Sequence, residues 1–276
     1  MLSRKVILPI SFLIAGTAFA VVMVMPKTFS NDQVKKRQRK QASEEFVREL
    51  KSIKTQMPEE VSSKSTKWEL MVDGSNTESL VACDSLVKLW DKAMYPQVAA
   101  YFYAKKAEKL NTTEEWTIAG KRFLAVSAFS GEGNRGWALD NAQYAFEKAL
   151  ELDANNIEAK VKLAASVVEA GQDPMKGIGM LREIVAENPT NVEALMELGR
   201  FAMVSGQTDK AIGHFQEVVK IEPDIIEAKF YLADAYAAAG KGDSAKYYLD
   251  QYLLKVPNDI IAQQAREYMK LTYGLD

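Results

Sequence analysis

The sequence predicts an all-α protein built as a solenoid of stacked helix pairs. A set of residue types recurs after 34 residues, a length that holds two helices and their turns. Apolar residues follow helical spacing within each unit, and no segment shows the sustained alternation typical of strands. The recurring residues are Glu193, Ala194, Leu198, Gly206, Asp209, Ala211 and Pro223, with Glu227, Ala228, Leu232, Gly240, Asp243, Ala245 and Pro257 as counterparts.

Each unit reads as a first helix, a turn and a second helix. In the unit that closes at Pro223, Gly206 ends the first helix. Gly199 and Ala211 fall where the two helices cross, and larger side chains there would push the backbones apart. The apolar stripes are Leu195, Leu198, Phe201 and Ala202 in the first helix and Ala211, Ile212, Phe215 and Val218 in the second.

This order of small, aromatic and proline residues resembles the tetratricopeptide repeat. The resemblance covers residues 157–259 and includes two clean units. A preceding unit, which ends at Pro189, carries one extra residue and has Gly177 in place of the usual alanine. We predict that its turn is remodelled and its helix pair kept. Residues 173–217 also resemble membrane-anchored bacterial proteins that contain these repeats.

Further helices are predicted on both sides of the clean units. Residues 80–92 and 97–110 form one predicted pair, whose second helix Pro96 opens. Thr112 or Thr113 caps the helix that follows. Residues 260–271 predict a single solvating helix that caps the array. The predicted solenoid therefore occupies residues 80–276.

One upstream pair departs from the repeat length. Trp116 and Phe123 mark its first helix and Phe146 its second, but about ten extra residues separate the two compared with the family pattern. We predict a longer hairpin over residues 130–136. Those residues also fit the pattern GxGxxG, yet no apolar strand precedes them, so we predict a loop and no dinucleotide site.

The N-terminal segment, residues 1–25, predicts a single-pass transmembrane helix. Residues 6–25 are an uncharged run of 20, which as a helix spans roughly 30 Å, the thickness of a bilayer core. A cleaved signal peptide is the competing reading, because Ala18-Phe19-Ala20 has the pattern of a cleavage site. The length of the run and the apolar end that cleavage would leave favour the anchor.

The side of the membrane on which the repeats lie is less sharply indicated. Lys27 and a basic cluster over residues 35–40 follow the apolar run, and the positive-inside rule places them in the cytoplasm. Arg4 and Lys5 before the run have the usual form of an export signal. We predict a bacterial inner-membrane protein with periplasmic repeats, and cytoplasmic repeats are the alternative. The basic cluster either contacts anionic lipid headgroups or is a solvated helix face.

Residues 26–79 predict a basic helical stalk followed by a polar linker. Phe46, Leu50, Ile53 and Met57 are spaced 4, 3 and 4 apart, which is a short coiled-coil seam of two heptads. A homodimer through this stalk is therefore a hypothesis. Residues 58–79, rich in Ser, Glu, Lys, Asn and Gly, predict a flexible linker.

Composition excludes several function classes. The chain carries a net charge of −2, of which residues 1–67 contribute +7 and the remainder −9, so the repeats are acidic and nucleic acid is excluded as their partner. His214 and Cys83 are the single histidine and cysteine. Structural roles are favoured for both, an intermolecular disulfide being the alternative for Cys83. We predict no catalytic, cofactor-binding or metal-binding residues and no enzyme activity.

The family resemblance implies a concave groove that is lined by the first helices and takes up extended or helical peptide segments. The residues at groove positions are apolar and acidic in mixture. They are Glu158, Val161, Ala165, Val168, Glu193, Met196, Arg200, Met203, Glu227, Phe230, Asp234 and Ala237. Family members that clamp a C-terminal carboxylate use several basic and amide side chains here, whereas this chain offers only Arg200.

The groove composition favours a basic amphipathic helix or a segment with apolar anchors. The alternative is that these residues pack against neighbouring repeats. Reversing Glu193 and Glu227 to lysine is predicted to weaken a basic partner and to leave folding intact. The predicted function is a membrane-anchored scaffold for protein–protein interaction in a bacterial envelope. A constitutive structural or accessory subunit of a larger membrane complex is the alternative.

Overall fold

The computed structural model describes residues 31–74, 77–129, 131–256 and 258–275, which form thirteen α-helices and no strand. The helices are α1 Asn31–Gln56, α2 Glu59–Val72, α3 Thr77–Lys92, α4 Pro96–Leu110, α5 Thr113–Phe129, α6 Glu132–Leu152, α7 Ile157–Ala170, α8 Pro174–Glu187, α9 Val192–Val204, α10 Thr208–Ile221, α11 Ile226–Ala238, α12 Gly242–Leu253 and α13 Asp259–Tyr273. The predicted all-α helical repeat is confirmed.

The chain divides into two units, Met1–Met57 and Pro58–Asp276. Within the first unit, the described residues form α1, in which Phe46, Leu50 and Ile53 are buried. Dimerisation through this helix stays a prediction. Across the residues that the structure describes, no helix is both long and apolar enough to cross a bilayer. The predicted anchor at residues 6–25 lies outside those residues, as does Pro257.

The second unit is a stack of helix pairs. The pairs are α3–α4, α5–α6, α7–α8, α9–α10 and α11–α12, and each pair packs against the next. Buried aromatic and aliphatic side chains such as Phe146, Leu181 and Phe215 fill the space within and between pairs. The pair that carries an extra residue is kept. At its crossing a Cβ on Gly177 would lie 2.5 Å from the carbonyl oxygen of Ala164, so alanine does not fit there.

Local signals mark the helix ends of the repeats. Asn156 and Asn191 each accept a 2.8 Å hydrogen bond from a backbone amide in the first turn of the helix that follows. Gly206, Gly240 and Gly274 have φ values of 71°, 70° and 68°, in the left-handed region that a Cβ disfavours. Gly274 continues the period one step beyond Gly240. Helix α13 therefore occupies the place of a first helix in a further repeat.

The predicted linker over residues 58–79 is helical instead. Helix α2 covers Glu59–Val72, and α3 already begins at Thr77. Ser65 and Val72 are buried, and Nε1 of Trp90 in α3 donates a 3.2 Å hydrogen bond to Oγ of Ser65. The polar composition belongs to the exposed face of an amphipathic helix, so the solenoid begins about twenty residues earlier than residue 80.

Residues 132–136 of the predicted hairpin over residues 130–136 are helical instead. Helix α6 begins at Glu132, and its first turn includes a hydrogen bond from the amide of Arg135 to the carbonyl of Gly131. The extra residues of this pair lengthen its helices to 17 residues in α5 and 21 in α6. The Arg135 guanidinium donates a hydrogen bond to the carbonyl of Ser127 in the last turn of α5.

Candidate interaction surface

The first helices form a row of α5, α7, α9, α11 and α13, in which each helix contacts the next directly. The twelve groove residues predicted from the sequence lie on three of these helices, α7, α9 and α11. The positions 34 residues after the four predicted residues of α11 lie on α13. We call this surface, formed by the predicted residues, those α13 positions and the neighbouring Glu169, Glu197 and Val204 on the same helices, the first-helix face.

The predicted residues of α7 are mostly core. Val161 is fully buried and Ala165 nearly so, in a cluster that includes Leu181 and Leu198. Val168 is half-buried against the same cluster. These side chains therefore pack against neighbouring repeats, which is the alternative to partner binding that the sequence left open. Glu158 is exposed, and its carboxylate lies 2.7 Å from Nζ of Lys121 on α5.

Charged side chains of α6, α7 and α9 form a chain of alternating sign, which we call the charge ladder. Its members are Arg135, Glu169, Arg200, Glu197, Lys162 and Glu193. Successive members are 3.9, 3.5, 2.6, 3.5 and 2.7 Å apart between nitrogen and oxygen. Each internal member touches two partners of opposite charge, so this part of the face neutralises itself.

Two ladder members show how strongly the cations are held. Burial acts to lower the pKa of Lys162, but the hydrogen bond and negative charge of Glu193, together with the charge of Glu197, outweigh it and raise that pKa. Arg200 contacts the carboxylates of both Glu197 and Glu169. Because its guanidinium is already bound in this way, Arg200 is poorly suited to clamp a partner's C-terminal carboxylate.

Glu193 is therefore not a solvated acid on a free surface. Its ion pair with Lys162 joins α9 to α7, so reversing it to lysine would place two cations together at a repeat junction. The double reversal of Glu193 and Glu227 is not a clean test of partner binding, since it acts on stacking as well. Met196 and Met203 on the same helix are half-buried and pack against the cluster around Phe215.

The predicted residues of α11 have a different environment. Oδ1 of Asp234 accepts hydrogen bonds from the hydroxyl groups of Tyr268 at 2.9 Å and Tyr273 at 2.7 Å, both on α13. Within the described residues, neither Asp234 nor Glu227 has an ion pair. Burial and the hydrogen bond to Asp234 raise the pKa of both phenols, which stay neutral donors at physiological pH.

Phe230 lies between these two acids on the same face of α11, at positions i, i+3 and i+7. Its ring centroid is 5.2 Å from that of Tyr252 and 6.0 Å from that of Tyr268. Ala237, the last predicted residue, is buried against α13 side chains such as Met269. Two of the four predicted residues of α11 are thus acids without a cation, beside an aromatic cluster.

Four residues of this face were missed in the sequence. Val204 at the end of α9 is 87% exposed and Leu271 on α13 is 86% exposed. Ile261 and Tyr268 on α13 are partly exposed. The signal was present, since Ile261, Tyr268 and Leu271 stand 34 residues after Glu227, Asp234 and Ala237. Treating α13 only as a solvating cap hid their place on the face.

The potentially reactive side chains outside this face, Cys83 and His214, have structural roles. Cys83 is fully buried, and burial raises the pKa of its thiol. Burial, with the positive charges of Arg182 and Lys210, lowers the pKa of His214. In the part of the chain that the structure describes, no group of three or more metal-ligating side chains converges.

Comparison with known proteins supports the reading of the repeats. Residues 202–267 match the family model of the tetratricopeptide repeat. The chain is similar to the Cut9-Hcn1 hetero-tetramer of the APC/C at 19% identity and a TM-score of 0.52, over 77% of this chain and 40% of that one. A search of curated protein sequences gave no match.

Two further solved structures are similar at TM-scores below 0.5. The PilW structure, titled as a widely conserved type IV pilus biogenesis factor, is 18% identical with a TM-score of 0.49, over 84% of this chain and 98% of that one. A MamA structure is 21% identical with a TM-score of 0.44, over 73% and 98%.

The architecture defines an α-solenoid of stacked helix pairs, a class whose members act by presenting extended surfaces. The family match shows that residues 202–267 contain the tetratricopeptide repeat. This fold is typical of scaffolds for protein–protein interaction, and no catalytic family is indicated.

Proposed function

We propose that this protein is a scaffold that recruits protein partners through the first-helix face of its repeats and is anchored in a bacterial inner membrane by residues 6–25. The observation that carries the proposal is the row of directly contacting first helices, which offers a continuous surface across α7, α9, α11 and α13. The uncharged run of 20 residues supports the anchor. The export-signal form of Arg4 and Lys5 supports periplasmic repeats.

The test is crosslinking in native membranes, followed by purification of the full chain in mild detergent and mass spectrometry. A chain that lacks residues 58–276 is the control, because the solenoid includes α2. We expect partners that are lost with the repeats and released by salt. A partner that co-purifies at fixed stoichiometry and resists salt supports a constitutive subunit instead, and identical partners with the control overturn the proposal.

Orientation needs a separate measurement. Trypsin added to intact spheroplasts is expected to digest repeats on the periplasmic side, whereas inverted membrane vesicles protect them. The reverse pattern places the repeats in the cytoplasm. Recovery of the chain in the soluble fraction after an alkaline carbonate wash would contradict the anchor itself.

A further inference from the structure

The carboxylates on the first-helix face fall into two classes. Glu158, Glu169, Glu193 and Glu197 each lie within ion-pair distance of at least one cation of the chain itself. Glu227 and Asp234 on α11 have no such partner among the described residues. Negative charge available to another molecule is therefore concentrated at the α11 end of the face.

Exposed apolar side chains lie on the two helices that flank α11. Val204 and Leu271 are almost fully exposed at one end of α9 and α13, the two helices that flank α11, and Ile261 is partly exposed at the other end. Between them, the rings of Phe230 and Tyr268 lie 6.0 Å apart beside the Asp234 carboxylate. Exposed large apolar side chains beside a carboxylate are typical of a docking surface.

We infer that the surface formed by α9, α11 and α13 binds a protein segment in which a lysine or arginine stands between two large apolar side chains. This inference rests on the proposed function, whose binding surface it narrows to one end. The repeat region is acidic overall, since the net charge beyond residue 67 is −9. Charge complementarity therefore favours a basic segment and disfavours an acidic one.

The geometry assigns a place to each part of such a segment. Oδ1 of Asp234 receives both phenol hydrogen bonds, so Oδ2 is left to accept from a cation. A guanidinium or ammonium group at that oxygen forms a charge-assisted hydrogen bond. The apolar side chains on either side of the cation contact Val204 and Leu271 at one end and Ile261 at the other.

The charge ladder explains why the same segment does not bind along α7 and α9. A cation there would have to displace Lys162 or Arg200 from carboxylates that already hold them at 2.7 and 2.6 Å. Exchange of one cation for another gains little, whereas pairing with Asp234 and Glu227 adds new contacts.

The test uses random 12-residue peptides displayed on phage and selected against the full chain immobilised in detergent micelles. We expect enriched peptides to contain a lysine or arginine flanked by aromatic or aliphatic residues. Synthetic copies are then titrated against the wild type and against the double variant Glu227→Gln and Asp234→Asn. The amide oxygen introduced by Asp234→Asn would still accept from the tyrosines, so the variant should stay folded and bind about tenfold more weakly.

A matched control is Glu217→Gln on the second helix α10, which removes a carboxylate that lies outside the first-helix face and is already paired with Lys220. Its affinity for the peptides is expected to be unchanged. Enriched peptides that bind the double variant as tightly as the wild type overturn this inference and leave the proposed function standing. Enrichment of acidic or uncharged peptides also overturns this inference and leaves the proposed function standing. No enrichment of any peptide overturns both.

Discussion

The two ends of the first-helix face join neighbouring repeats through different chemistry. Between α7 and α9, side chains of opposite charge meet directly, with Lys162 held by Glu193 and Glu197. Between α11 and α13, Asp234 is held by two neutral phenols. Stacking is achieved in both places, but only the second leaves a net charge at the surface. Repeats with the same backbone fold thus differ in the net charge on their surface, because the charges at one junction pair with each other and those at the other junction do not.

The largest effect is expected from disturbing the packing of α9, the helix that lies between the α7 end and the α11 end of the first-helix face. A Cβ on Gly199 would collide with the Phe215 ring, so Gly199→Val should lower the free energy of unfolding by about 2–3 kcal/mol. Urea denaturation followed by circular dichroism measures this change. Gly213→Ala on α10 is the control, because nothing lies within 4 Å of its Cβ, and it should stabilise by up to about 1 kcal/mol.

Removing one charge from each end sharpens the comparison directly. Glu197 is 7% exposed and contacts both Arg200 and Lys162, so Glu197→Gln should lower the free energy of unfolding by about 1–2 kcal/mol. Asp234→Asn keeps an acceptor for both tyrosines and should change the free energy of unfolding by less than about 0.5 kcal/mol. Urea denaturation of the two variants measures both changes. Equal losses would show that the ends are not chemically distinct.

Loss of a phenol should loosen the α11–α13 junction alone. Tyr273→Phe removes the 2.7 Å hydrogen bond to Asp234 and should cost about 1 kcal/mol. Hydrogen exchange is the measurement, with faster exchange expected in α13 and unchanged exchange in α7 and α9. Tyr247→Phe, at an exposed position on α12, is the matched control. Faster exchange throughout the solenoid would contradict a local role for this contact.

The smallest effect concerns His214, which belongs to neither end. Its pKa is lowered in the folded state, so protonation favours the unfolded chain. Stability should be greatest above the ordinary histidine pKa of 6.5 and fall slightly as the pH drops through it towards the folded-state pKa. Thermal unfolding between about pH 7.5 and 5.5 measures this slope, which His214→Gln should flatten. A variant that keeps the slope would assign it to other groups.

The sequence predicted the repeats more accurately than the segments before them. A helix that follows a clean signal, such as α4 after the start predicted at Pro96, begins where predicted. The linker and hairpin predictions failed for a shared reason. Polar or glycine-rich stretches were interpreted by composition, whereas α2 packs against α3 with Ser65 and Val72 buried, and α6 begins with a backbone hydrogen bond from Arg135 to Gly131.

The candidate interaction surface was also predicted only in part. The repeat register placed all twelve predicted residues on the row of first helices, and it would have placed Ile261, Tyr268 and Leu271 there too. It did not separate residues that stack repeats from residues that face solvent. Val161 is core, although it shares the register of Met196 and Phe230. Ala165 is core as well, although it shares the register of Arg200 and Asp234.

From residue 157 onward, the sequence alone determined the period, the helix pairs and the turns after the first helices, because local spacing and left-handed glycines act over a few residues. The tertiary structure decided which charges are already paired. Lys162 and Glu193 are 31 positions apart, and Asp234 meets Tyr273 across 39. Contacts of that range depend on how repeats stack and on side-chain reach, so the same acidic residue type is a stacking element on α9 and a free charge on α11.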